Sequence, residues 1–274
     1  MVSQEQRRRQ LAREKFLRQQ QRRTSARRKA RMRNSVIASV LGVVVIGSVA
    51  LYTTGVLKND KDDKSNASAK VTPSASAPSK APDPCAKPAA GPVKKLSWKK
   101  EPAMTIDASA KYTMKLATTC GDIDVALKTS AAPHTVNSFN FLAAQGFFDH
   151  TKCHRLTTNG IYVLQCGDPT GTGSGGPGYT LPDENLKDKS LKDNVYPAGT
   201  VAMANTGQKH TGGSQFFLVY QNSPLPPSYT PFGTISESGL KVLKKIAAAG
   251  ENTGGGDGAP NATVVINKAT VAKS

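Results

Sequence analysis

Apolar and polar positions alternate along residues 111–118, with Tyr112, Met114 and Leu116 on one side, and again along 123–128, with Ile123, Val125 and Leu127. A period of two marks a half-buried strand. Thr119-Cys120-Gly121-Asp122 between the two runs reads as a turn, so the pair predicts a β-hairpin. From Pro133 the spacing changes. Val136, Phe139 and Leu142 recur on one helical face, in a helix opened by proline and stopped at Gly146. Short apolar segments follow at 153–157, 161–166, 200–204, 215–219 and 232–235. Ser238 is placed to cap a second helix through Ala249, and residues 263–271 predict a last strand. Strands that follow strands, with two helices, predict an antiparallel barrel or sandwich with helical covers over residues 103–274.

The pattern before residue 103 is different. Residues 36–57 carry no charge at all. As a helix they would measure ~33 Å, against a bilayer core of ~30 Å. Residues 1–35 hold 13 Lys and Arg against two acids. A basic flank on that side predicts a single membrane helix, with a cytoplasmic arm at 1–35 and everything after 57 outside the membrane. A cleaved signal peptide ending near Ser48-Val49-Ala50 is the competing reading. Residues 58–102 are rich in Lys, Ala, Ser and Pro, with seven prolines from Pro73 to Pro102. Such a segment buries too little apolar surface to offset its ordering entropy, so it is expected to be a disordered linker.

Charge belongs mainly to these leading segments. The chain of 274 residues has a formal net charge of +18, but residues 103–274 carry 14 basic and 12 acidic side chains. The basic arm suits an anionic membrane surface. No aromatic platform or recognition motif accompanies it, so nucleic acid is not an expected partner. Four cysteines at 85, 120, 153 and 166 lack metal-ligand spacing. Outside the membrane they are free to oxidise. Cys153 and Cys166, on consecutive strands of a hairpin, are the preferred pair, while Cys85 in the linker stays free or joins chains. No metal or cofactor is expected. Gly171-Thr172-Gly173-Ser174-Gly175-Gly176 matches a dinucleotide loop literally, yet Pro177, Gly178 and Pro182 follow where a helix should begin. No G-x-S-x-G elbow marks a serine hydrolase.

After Arg33 the chain has one arginine, Arg155, although lysines are plentiful. A lone guanidinium in a strand-like segment suggests a role that needs a planar fork of donors. The structural alternative is an ion pair with an acid such as Asp168. Gln165, Asn205 and Gln215 sit among apolar strand residues. Each offers a donor and an acceptor suited to a peptide backbone, or to routine strand-end bonding.

These segments resemble the cyclophilin family of peptidyl-prolyl cis-trans isomerases, in a membrane-anchored, actinobacterial-like form. The matching stretches are His154-Arg155, Gln165-Cys166-Gly167-Asp168-Pro169 with Gly171-Thr172-Gly173, Met203-Ala204-Asn205, Gly213-Ser214-Gln215-Phe216-Phe217 and Phe232-Gly233. Thr135-Val136-Asn137-Ser138-Phe139 and Gly146-Phe147-Phe148 fit the family's first helix. The resemblance implies a closed eight-stranded antiparallel barrel with two covering helices. It implies Arg155, Gln165 and Phe217 as catalytic residues. Tyr162, Val163, Ala204, Asn205, Gln215, Leu225 and Tyr229 are implied to bind substrate, and His154 to be structural. Tyr162 and Val163 fall where the family usually has Phe and Met, and Pro224 where many members have the Trp that helps bind cyclosporin-type drugs. The implied activity is isomerisation of proline-containing segments of unfolded or secreted proteins at the outer face of the cell membrane. A non-catalytic proline-binding or chaperone module on the same fold is the alternative.

Overall fold

The computed structural model describes residues 83–273. The basic arm, the expected membrane helix and the expected linker up to residue 82 lie outside the described residues. Among the described residues no helix is long and apolar enough to cross a membrane.

Ten strands form one antiparallel sheet. They are β1 (Tyr112–Thr118), β2 (Gly121–Leu127), β3 (Thr151–Lys152), β4 (Arg155–Thr157), β5 (Val163–Cys166), β7 (Thr200–Met203), β8 (Phe216–Val219), β10 (Pro231–Ile235), β11 (Asp257–Gly258) and β12 (Val265–Lys273). Their order across the sheet is β11-β4-β5-β8-β7-β10-β2-β1-β12-β3. A separate ribbon pairs β6 (Val195–Tyr196) with β9 (Ser223–Pro224). The helices are α1 (Pro133–Ala144) and α2 (Glu237–Ala248).

The expected closed eight-stranded barrel is corrected in two respects. The sheet has ten strands, and its ladder is open between β3 and β11. The segment expected as one strand at 153–157 is the reason. The Cys153 amide donates to the Val264 carbonyl beside β12, whereas the next amide, His154, donates to Gln165 on β5. One peptide thus crosses the seam between the two edges, and no ladder bond spans it.

The main core lies between the inner face of the sheet and the helices. Phe139 on α1 packs against Phe148, Phe216 and Phe232 at centroid distances of 5.2, 5.5 and 4.5 Å. Ala132 at the N-terminus of α1 offers no capping side chain. The Glu184 carboxylate substitutes from a distant loop, accepting from the His134 and Thr135 amides. This satisfies donors that have no partner in the helix and places negative charge at its positive end. Ser236, not Ser238, caps α2, its hydroxyl accepting from the Gly239 amide at 3.1 Å.

Residues 83–102 correct the expectation of a free linker over that stretch. They form no helix or strand, yet they lie on the domain. Cys85 is disulfide-bonded to Cys120, and the Ala86 amide donates to the Thr119 carbonyl. Trp98 packs on Phe141 at 5.0 Å and on Phe147 at 6.0 Å, and its amide donates to the Pro177 carbonyl. One tryptophan and one disulfide anchor what composition alone would leave loose. The second bond, Cys153–Cys166, is the pair expected from the sequence.

Candidate active site

Strand alternation builds the site on the outer face of the sheet. Along β5, Leu164 and Cys166 enter the main core, while Val163 and Gln165 face outward. Along β8, Phe216 and Leu218 face in, and Phe217 and Val219 face out. Val163, Ala202, Phe217 and Val219 join Tyr196 of the β6–β9 ribbon in a second, smaller apolar cluster. Central strands buried on both faces explain why 216–219 reads as an unbroken apolar run.

A cavity of about 190 Å3 opens above this cluster, lined by Arg155, Ile161, Val163, Gln165, Ala204, Asn205, Phe217, Leu225 and Tyr229. Phe217 is 5% exposed and meets Tyr229 edge-on at 5.4 Å. Tyr196 fixes the Tyr229 loop. Its hydroxyl donates to the Tyr229 carbonyl at 2.7 Å and accepts from the Tyr229 amide at 3.2 Å. Burial pushes the Tyr196 phenol up to about 12, so it stays protonated in this role.

Arg155 stands at the rim. Its Nε–H and one Nη2–H donate to the two Asp257 carboxylate oxygens at 2.7 and 2.8 Å. Nη1 donates to Gln165 Oε1 at 3.2 Å. A guanidinium has five N–H groups, so two remain for a ligand. The bond to Asp257 raises the Arg155 pKa above its ordinary value, and the same bond lowers that of Asp257. The arginine is therefore a permanent cation held in one orientation. The chain of amides continues inward. Gln165 Nε2 donates to Gln215 Oε1 at 2.8 Å, and Gln215 Nε2 donates to the Gly175 carbonyl at 2.9 Å.

The structure thus brings together Arg155, Gln165, Phe217, Val163, Ala204, Asn205, Leu225 and Tyr229 around one cavity, with Gln215 behind Gln165. The Asn205 side chain is partly engaged within the protein. Its Nδ2 donates to the Ser228 carbonyl and its Oδ1 accepts from Gly207, so its side chain ties two loops together. Tyr162 is not among the residues that line the cavity. It stands 5.9 Å from Tyr220 and packs on the main core, while Ile161 takes the place on the cavity wall. Residues 161, 163 and 165 share a face by strand parity, which was available in the sequence. The acid on Arg155 is Asp257, not Asp168. The Asp168 carboxylate instead receives the Thr170, Thr172 and Gly173 amides and organises the glycine-rich loop. Gly167 precedes it at φ +85°, where a Cβ would also strike the Ser214 carbonyl. Both His154 ring nitrogens are buried without a hydrogen-bond partner among the described residues, and burial lowers its pKa. Ile161, Tyr196 and Asp257 are the site residues that sequence reasoning missed.

The site is thus a fixed guanidinium and amides facing Ile161, Val163, Phe217 and Leu225 across one small cavity on an antiparallel sheet. The model of the family "Cyclophilin type peptidyl-prolyl cis-trans isomerase/CLD" matches residues 113–271, and the chain belongs to that family. It is 50% identical over 191 residues to the probable peptidyl-prolyl cis-trans isomerase B of Mycobacterium leprae, covering 67% of this chain and 63% of that protein. It is also 50% identical over 165 residues to the probable peptidyl-prolyl cis-trans isomerase B of Mycobacterium tuberculosis strain H37Rv, covering 57% of this chain and 53% of that protein. The chain therefore spans between half and two thirds of the lengths of these relatives. A crystal structure of a cyclophilin type peptidyl-prolyl cis-trans isomerase from Cryptosporidium parvum superimposes with a TM-score of 0.50 at 27% identity, covering 60% of this chain and 99% of that one.

Proposed function

We propose that this chain catalyses cis-trans isomerisation of X-Pro bonds, and that Arg155 and the cavity floored by Phe217 are the catalytic centre. The observation that carries the reading is the guanidinium held by Asp257 and Gln165 at the mouth of a cavity of about 190 Å3 whose apolar side is Ile161, Val163, Phe217 and Leu225. Rotation about an amide faces a barrier of ~18–20 kcal/mol that comes from resonance. No bond breaks, so the task is to favour the twisted amide over both planar forms. Phe217, Val163, Leu225 and Ile161 would hold the ring. As the C–N bond turns, the prolyl nitrogen loses conjugation and gains a lone pair. A free Arg155 N–H aimed at that lone pair gains strength only in the twisted state, and the site has already oriented it. The Gln165–Gln215 pair would fix the substrate backbone.

The same proposal places the domain outside the membrane in an actinobacterial-like cell, anchored through residues 36–57. Two disulfides suit an oxidising compartment. The uncharged run with its basic flank suits a single span with the N-terminus inside. The mycobacterial relatives suit the source. Substrates would be proline-containing segments of unfolded or secreted proteins, and the basic arm would meet anionic lipid. NMR exchange spectroscopy on an X-Pro peptide with the full chain tests the activity. Enhanced cis-trans exchange is expected. Peptide binding without enhanced exchange would instead make the chain a proline-binding module.

A further inference from the structure

The strap at residues 83–102 does more than cover apolar surface. Past Trp98 it runs along a second, larger groove of about 960 Å3. One wall of this groove is Lys99, Lys100 and Glu101, and the other is the glycine-rich loop after Asp168. Ala204 and Asn205 line both this groove and the small cavity. They thus give a peptide with its proline in the cavity a path for its neighbouring residues into the groove.

The strap is built in at this point. The Trp98 amide bonds to Pro177 at 2.8 Å. Gly178 at φ +89° lets the two backbones meet, since a Cβ there would lie 2.7 Å from the Trp98 carbonyl oxygen. Pro177 and Gly178, directly after the glycine-rich segment, are thus the seat for the strap. Every charged residue lining the groove, among the described residues, comes from the strap. Glu101 is already engaged, its carboxylate accepting from His134 Nδ1 at 2.6 Å. Lys99 and Lys100 are left to set the sign of the groove.

We infer that residues 98–101 are a specificity wall, and that Lys99 and Lys100 select proline-containing segments carrying an acidic side chain within about three residues of the proline, a reach of about 10 Å in an extended chain. The inference rests on the isomerase reading for its location and adds a substrate class to it. Exposed charge pairs are weak and screened by salt, so the selection is modest and fades as ionic strength rises.

The test uses the full chain and a set of peptides sharing one X-Pro core, with Glu, Gln or Lys placed in turn at each of three positions on either side. Exchange rate is one readout. Binding, followed by the fluorescence of Trp98, the single tryptophan of the chain, is the other. At one position at least, the Glu peptide should exceed the Lys peptide about 5-fold at low salt in both readouts, with Gln between them. In Lys99→Glu/Lys100→Glu the order of Glu and Lys peptides should reverse, and in Lys99→Gln/Lys100→Gln the ratio should approach one. Equal treatment of all three peptides at every position, or a preference that survives charge reversal, overturns the inference. Binding with the expected preference but no enhanced exchange keeps the wall and refutes the isomerase reading instead.

Discussion

Asp257 grips Arg155 through both of its carboxylate oxygens, from a two-residue strand that pairs with the arginine's own strand. The loop before Asp257 is fixed by Glu251, whose carboxylate accepts from the Thr253 and Gly256 amides. Asp257 makes no contact with the cavity, so it is a positioning residue acting through the guanidinium. Asp257→Ala should lower kcat/KM about 10-fold, because a freed arginine samples many directions and must be ordered in the transition state. Asp257→Asn, which keeps one acceptor, should recover part of the loss. Arg155 is 39% and Asp257 56% exposed, so the pair should add less than about 1 kcal/mol to stability. A fall in activity without a matching fall in denaturation midpoint distinguishes positioning from support.

Ile161 and Tyr162 give a second test, since adjacent strand residues face opposite sides. Ile161→Ala opens the cavity wall and should raise KM several-fold with kcat less affected. Tyr162→Ala removes the contact with Tyr220 and should lower stability while leaving KM close to wild type. The opposite outcome would put Tyr162 on the substrate.

The two disulfides should separate by function. In the chain-entropy picture, loops of 35 and 13 residues correspond to about 4 and about 3 kcal/mol. Cys153–Cys166 ties the residue two before Arg155 to β5, the strand that carries Gln165, whereas Cys85–Cys120 anchors the strap. Replacing Cys153 and Cys166 with alanine should cost stability and also exchange rate. Replacing Cys85 and Cys120 should cost stability chiefly. Thermal midpoints and exchange rates measured on both variants decide it.

Two histidines predict opposite limbs in stability against pH. Burial lowers the His154 pKa below 6.5, so this neutral ring contributes fully above 6.5 and its contribution is lost as pH falls from there through the lower folded value. The bond to Glu101 raises the His134 pKa, so its contribution is present below 6.5 and is lost as pH rises through the folded value. His154→Phe should flatten the acid-side fall of the thermal midpoint, and His134→Gln the alkaline-side one. Thermal melts from about pH 8 to pH 5 read both.

Much of the fold was legible because burial imposes its period on the chain. The alternation at 112–116 and 123–127, and the spacing of Val136, Phe139 and Leu142, reflect faces that must be apolar. Arg155 and Gln165 were legible as polar exceptions among apolar strand residues, whereas Phe217, inside an unbroken apolar run, was marked only by the family resemblance. What escaped were features with no period. Strands of two residues such as β3 and β11 are too short to show one, and Asp257 looked like any acid in a glycine-rich loop. Tyr162 was placed on the cavity by resemblance, although strand parity sets 161, 163 and 165 on one face and 162 on the other. The strap read as a linker because its order comes from distant partners, among them Cys120, Phe141 and Phe147, and not from its own composition.

The most direct measurement is the cis-trans exchange rate of an X-Pro peptide with wild type, Arg155→Lys and Arg155→Ala. Loss of a preorganised donor costs about 100-fold or more when it serves the transition state. Both variants are predicted to lose activity on that scale while melting within a few degrees of wild type and still binding the peptide, because Phe217 and its neighbours remain. Wild-type exchange in Arg155→Ala would contradict the account.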